Sequence, residues 1–247
     1  MTRLLLDNRP GVTSVQMLVG LNMLAIASLY GLPVEQLAPA GELPVLLLRL
    51  AAMLQPLLLT LLAIWLGQRF APRLDLGLPL LTACAEGKPV WPMLQPLLPI
   101  IAAASLAVGL LLVGWSWFIV PQLGMADSTL ANLAMPLLTR LFYGGIGEEV
   151  LMRWGLLSAV AAAGLRLGLA RGPALVTAAL LSSLLFGAGH LPLLGLLAHD
   201  PPAWAATAVV LGNALPGMIF AGLFITYGLE SAMLAHAGAH LIGWVVA

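Results

Sequence analysis

Gly144-Gly145-Ile146-Gly147-Glu148-Glu149-Val150-Leu151-Met152-Arg153 places two adjacent carboxylates and a guanidinium inside one of the most apolar parts of the chain. An ionisable side chain inside a bilayer is costly unless it is paired or wet, so such a group reads as functional by default. On a helix, Glu149 and Arg153 are four apart and share a face, in the favourable order for an ion pair. Glu148 projects about 100° round from Glu149. A purely structural ion pair therefore accounts for Glu149 and Arg153 and leaves Glu148 without a partner. The three glycines before the doublet are the natural place for the chain to bend or break.

Downstream, two further stretches put polar groups in apolar surroundings. Phe186-Gly187-Ala188-Gly189-His190 sets an aromatic ring and an imidazole on one helix face, with glycines that admit a close neighbour. His236-Ala237-Gly238-Ala239-His240 projects two imidazoles from one face of the final apolar run. Ala235, Ala239 and Gly243 give that run a small-residue stripe for tight packing. Two imidazoles at this spacing serve as hydrogen-bond donors or as metal ligands.

The rest of the chain reads as a scaffold for these groups. Its 247 residues are 61% hydrophobic and 8% charged, with a mean hydropathy of +1.04. So few charges cannot cover a soluble surface, and the composition predicts a polytopic, all-α transmembrane bundle. A net charge of zero gives no electrostatic case for nucleic acid. The single cysteine, Cys84, is assigned no role. Clear spans are expected at about 11–31, 44–67, 94–120, 146–166, 173–190, 203–226 and 229–246. The first follows Arg3 and Arg9 without a clear cleavage site, so it reads as a helix that stays. Arg49 is placed to snorkel, and Trp115 and Trp117 suit an interface. Residues 128–167 would make one helix of roughly 60 Å, twice a bilayer core. They are therefore expected to divide at the glycines into an approach segment, 128–143, and a catalytic helix. If the approach segment crosses alone, there are eight spans rather than seven. The apolar patch from Leu76 to Leu81 is expected on the membrane surface. Loop charges, with Glu35, Glu42, Asp127 and Asp200 on alternate sides to the basic loops, put the N-terminus in the cytoplasm for seven spans. The whole chain is expected to form a single membrane domain, with 1–120 as scaffold and 128–247 as catalytic core.

One unpaired glutamate, one paired glutamate and three histidines, all in hydrophobic helices, form a catalytic inventory. A carboxylate in a low-dielectric site can act as general base, histidine can share the proton, and further imidazole donors can hold an oxyanion. The zinc-protease pattern H-E-x-x-H is absent. Ser182 and Ser183 lie about two turns from His190, and no pair of aspartates lies within spans.

Glu148-Glu149-x-x-x-Arg153, Phe186-x-x-x-His190 and His236-x-x-x-His240, in this order on successive apolar segments, resemble the CAAX protease and bacteriocin-processing family. These are glutamate-type intramembrane endopeptidases, also called the Abi family, and include the type II CAAX prenyl endopeptidases. The resemblance covers about 128–247. It implies that Glu148 and His190 activate water, that His236 and the position of His240 stabilise an oxyanion, and that Glu149 and Arg153 support them. Phe186 packs beside the water site. The family's third motif usually ends in Asn or Asp, and His240 departs from it. That departure opens a zinc set of Glu148, His190, His236 and His240 as the alternative to a cofactor-free site. The substrate implied is a membrane-associated protein or peptide, met in a lipid bilayer. Low charge and compact loops point to a prokaryotic inner membrane. The rival readings are a non-catalytic immunity or chaperone-like membrane protein and a zinc-dependent membrane metalloprotease.

Overall fold

The computed structural model describes residues 10–34, 44–123, 135–198 and 200–246. Arg3, Arg9, Glu35, Glu42, Asp127, His199 and the first part of the approach segment lie outside the described residues. Among those described, every regular element is helical, as backbone in lipid must be when it satisfies its own hydrogen bonds within each segment. The helices are α1 (Val12–Ser28), α2 (Val45–Phe70), the short α3 (Pro79–Ala85) and α4 (Trp91–Gln122). Then come α5 (residues 137–166), α6 (Arg171–Ala188), the short α7 (Leu191–Leu197), α8 (Ala205–Tyr227) and α9 (Leu229–Val246).

Five of these runs are long and apolar enough to cross a membrane: those containing α1, α2, α4, α6 and α8. With α5 and α9, which carry the ionisable groups, they make the seven long helices expected. The two polar helices sit within the bundle. The first half of α5 packs on α1 and α9, and its second half on α2 and α6. Helix α9 packs on α4 and α8, and α8 on α6. One apolar core runs through all of these, from Leu18 and Ile64 to Trp154, Phe220 and Ala235. The leucines of α2 at 46, 50, 54, 58 and 62 are exposed and make a lipid-facing belt.

Small residues set the helix spacings, as packing in lipid requires. A Cβ at Gly109 would come 2.7 Å from Ile242, which draws α4 onto α9. Gly67 makes room for the fully buried Trp154, and Gly155 for Ala63, which draws α2 onto α5. Gly187 lies against the Val210 carbonyl, which draws α6 onto α8. Polar contacts between helices are few. Asn22 donates to the Thr60 hydroxyl at 2.9 Å between α1 and α2, both residues buried. Arg49 lies over the Tyr30 ring at 4.8 Å.

Two expectations are corrected. The glycines at 144, 145 and 147 do not break the chain; α5 is continuous from 137 to 166. The missing side chains let neighbours approach instead, with Ala237 of α9 against Gly145 and the Tyr143 ring against Gly147. The Leu76–Leu81 stretch does not lie exposed on a membrane surface. Leu76 and Leu78 are each 1% exposed and belong to the core. A carboxylate holds them there: Glu230, at the start of α9, accepts from the Leu81 backbone N–H at 2.8 Å. The α8–α9 turn permits this through Gly228, whose φ of +97° favours glycine, and Leu229 donates to the Gly77 carbonyl at 3.2 Å.

Candidate active site

The glutamate doublet lies between two stretches of wide helical turn, Arg140–Gly147 and Val150–Leu157. Turns of this kind are rare and concentrate at functional sites. Glu149 is completely buried. Its Oε1 lies 2.8 Å from Nδ1 of His236, and its Oε2 lies 3.3 Å from Nε of Arg153. The second contact is an ion pair without the alignment of a hydrogen bond. Arg153, also completely buried, donates from Nη2 to the Gly217 carbonyl at 2.9 Å. Its guanidinium lies over Phe186 at 5.1 Å and Phe220 at 5.8 Å. The pairing expected from the four-residue spacing is present, with aromatic faces and a backbone carbonyl replacing the water it would otherwise have.

Glu148 is different. Its side chain keeps 20% exposure, and Oε2 stands 3.9 Å from Nε2 of His236. Its electrostatic neighbours are His236, His190, Glu149 and Arg153. His236 thus bridges the doublet, with Nδ1 on the dry carboxylate and Nε2 facing the wet one. Phe220 stacks on it at 4.4 Å between ring centres, and His240 stacks on the same ring at 4.8 Å. His240 in turn occupies the space above Gly144, where a Cβ would come 2.7 Å from Nε2.

His190 lies just beyond the end of α6. Its Nδ1 is 2.8 Å from the Phe186 carbonyl. A carbonyl only accepts, so Nδ1 carries a proton and Nε2 is left for other work. The His190 ring meets Phe186 edge-on at 4.9 Å, and Phe186 meets His236 edge-on at 6.2 Å. Phe186 therefore separates and orients the two imidazoles. An apolar cavity of about 700 Å³ has His190 in its wall, with Trp115 and Phe118 of α4, Leu194 of α7, and Asn213 and Leu215 of α8 among its lining.

The structure thus gathers Glu148, Glu149, Arg153, Phe186, His190, His236 and His240 around His236. Sequence reasoning missed Phe220, which is one aromatic in a uniformly apolar helix and carries no signal of its own. It also missed the second partner of Glu149. The zinc set fits poorly. Among the described residues no group of three or more His, Cys, Asp or Glu is placed to hold a metal ion. The rings of His236 and His240 lie nearly parallel, 22° apart, and do not aim at a common point.

Residues 130–242 match the family model described as Type II CAAX prenyl endopeptidase Rce1-like. Comparison with curated proteins and with solved structures found no match. The matched segment runs through α5 to α9 and contains every residue of the site. Through residues 130–242 the chain belongs to the type II CAAX prenyl endopeptidase Rce1-like family of membrane proteases.

Proposed function

We propose that this protein is an intramembrane endopeptidase that cleaves a membrane-associated protein or peptide with water activated by Glu148 and His190. The observation that carries this reading is the division of the doublet about His236: one carboxylate is dry and paired, the other partly exposed and facing an imidazole edge. Glu148 takes the proton of a water, assisted by Nε2 of His190, and the hydroxide adds to the scissile carbonyl. His240 and His236 donate to the resulting oxyanion. His236 does so from Nε2 when it carries both protons, and Glu149 and Glu148 are the acceptors that hold them. Glu148 then returns the proton to the leaving amine. Glu149 and Arg153 fix the position of His236. The apolar cavity beside His190 supports an apolar substrate, and the geometry of the imidazoles supports a reaction that proceeds without a metal. Low charge supports placement in a prokaryotic inner membrane.

The test uses the whole protein in lipid nanodiscs, a pool of short synthetic apolar peptides, and mass spectrometry of the products. Wild type cuts members of the pool in the presence of a zinc chelator, and Glu148→Gln and His190→Ala do not. Undiminished cleavage by either variant would remove the assignment, and loss of wild-type cleavage to the chelator would restore the metal reading.

A further inference from the structure

We propose that Arg140 binds a carboxylate of the peptide substrate and thereby sets where cleavage falls. This rests on the proteolytic reading above. Arg140, Gly144 and Glu148 stand at successive four-residue steps of α5 and form one stripe. The imidazole of His240 covers Gly144, and Nε2 of His236 faces Glu148. Arg140 therefore extends the site's own stripe by one turn, and His240 interacts electrostatically with it.

The guanidinium is half-buried, and the mechanism makes no use of it. Its Nε donates to the Met135 carbonyl at 2.9 Å, which fixes the side chain. Among the described residues it has no carboxylate partner, in contrast to Arg153 with Glu149 and Arg171 with Asp75. A held guanidinium with its terminal N–H groups unused is the planar fork that matches a carboxylate. A peptide brings a carboxylate at its C-terminus or on an acidic side chain; a lipid phosphate offers a related anion. Placement on the stripe with Glu148 favours the peptide.

The spacing gives the distance. Eight residues of ordinary helix rise about 12 Å, somewhat less through wide turns. An extended peptide covers about 3.3–3.6 Å per residue. A carboxylate on Arg140 thus puts the scissile bond at Glu148 about three residues away.

The experiment compares three peptide pools on the protein in nanodiscs: free carboxyl terminus, amidated terminus, and amidated terminus with one internal aspartate. The expected result is that wild type cuts a carboxylate-bearing pool about 10- to 100-fold more efficiently than the plain amide, mainly through KM. Arg140→Gln brings that ratio close to one, and Arg140→Lys keeps part of it. Preference for the free terminus or for the aspartate identifies the source of the carboxylate. Equal cleavage of all three pools by wild type overturns the proposal. So does a preference that survives in Arg140→Gln, or loss of bound phospholipid as that variant's only change. If wild type cuts no pool, the proteolytic reading itself fails, and this one with it.

Discussion

Nδ1 of His236 lies 2.8 Å from Oε1 of Glu149, across 87 positions of sequence and between two different helices. This bond makes the doublet more than a pair of acids. It gives the buried carboxylate a task beyond neutralising Arg153, because it fixes which edge of His236 is turned to Glu148.

Glu149→Gln tests that task. The amide keeps the shape of the side chain and removes the charged acceptor between His236 and Arg153. Peptide cleavage is expected to fall by roughly 10²–10⁴, by analogy with loss of the orienting carboxylate of a catalytic triad, in a protein that still folds. Peptide turnover, measured beside thermal unfolding in detergent, separates the two effects. Near-normal turnover would mean that the bond to His236 is not used.

Arg153→Met is expected to act on stability first. It leaves Glu149 buried without its cation, a change that costs about 3–5 kcal/mol. Adding Glu149→Gln to it should recover part of that loss without recovering cleavage. Denaturation midpoints for the two single variants and the double variant give the coupling directly.

Gly144→Ala and Gly145→Ala differ by one position and should differ in kind. The new methyl at 144 meets the imidazole of His240 at 2.7 Å, a side chain that can turn aside. The methyl at 145 meets Ala237, including its backbone N at 3.1 Å, and must push α9 away from α5. The first is expected to lower cleavage with little change in stability. The second is expected to cost about 1–3 kcal/mol. The reverse pattern would show that His240 packs without contributing to the reaction.

Thr60→Val leaves the buried amide of Asn22 without its acceptor between α1 and α2, far from the doublet. A loss of about 0.5–2 kcal/mol is expected, the range for polar contacts between membrane helices. Cleavage by the folded fraction should not change.

Local relations were legible in the sequence because helical periodicity fixes them. The pairing of Glu149 with Arg153, the common face of His236 and His240, and the nearness of Phe186 to His190 all follow from four-residue steps. The long apolar helices followed from composition. Relations between helices were not legible. Nothing in an apolar run says that Phe220 will stack on His236, or that Glu149 will reach a histidine near the end of the chain. The glycines of α5 signal close approach and weak helix propensity equally, and only the presence of Ala237 and His240 decides between them. Leu76 and Leu78 look like a surface patch until Glu230, 149 positions beyond Leu81, ties that segment to the start of α9.

The wide turns of α5 have a consequence for the phase of the helix. Each holds more residues than an ordinary turn, so the azimuth of the doublet depends on how many residues the turn contains. Deleting Ile146 would restore an ordinary count. It would also rotate the preceding stripe by roughly 100° against Glu148. Arg140 and Gly144 would then face one way and the reactive carboxylate another, with every side chain of the site still present. The protein is therefore expected to tolerate many changes of residue type along α5 better than a change in its length.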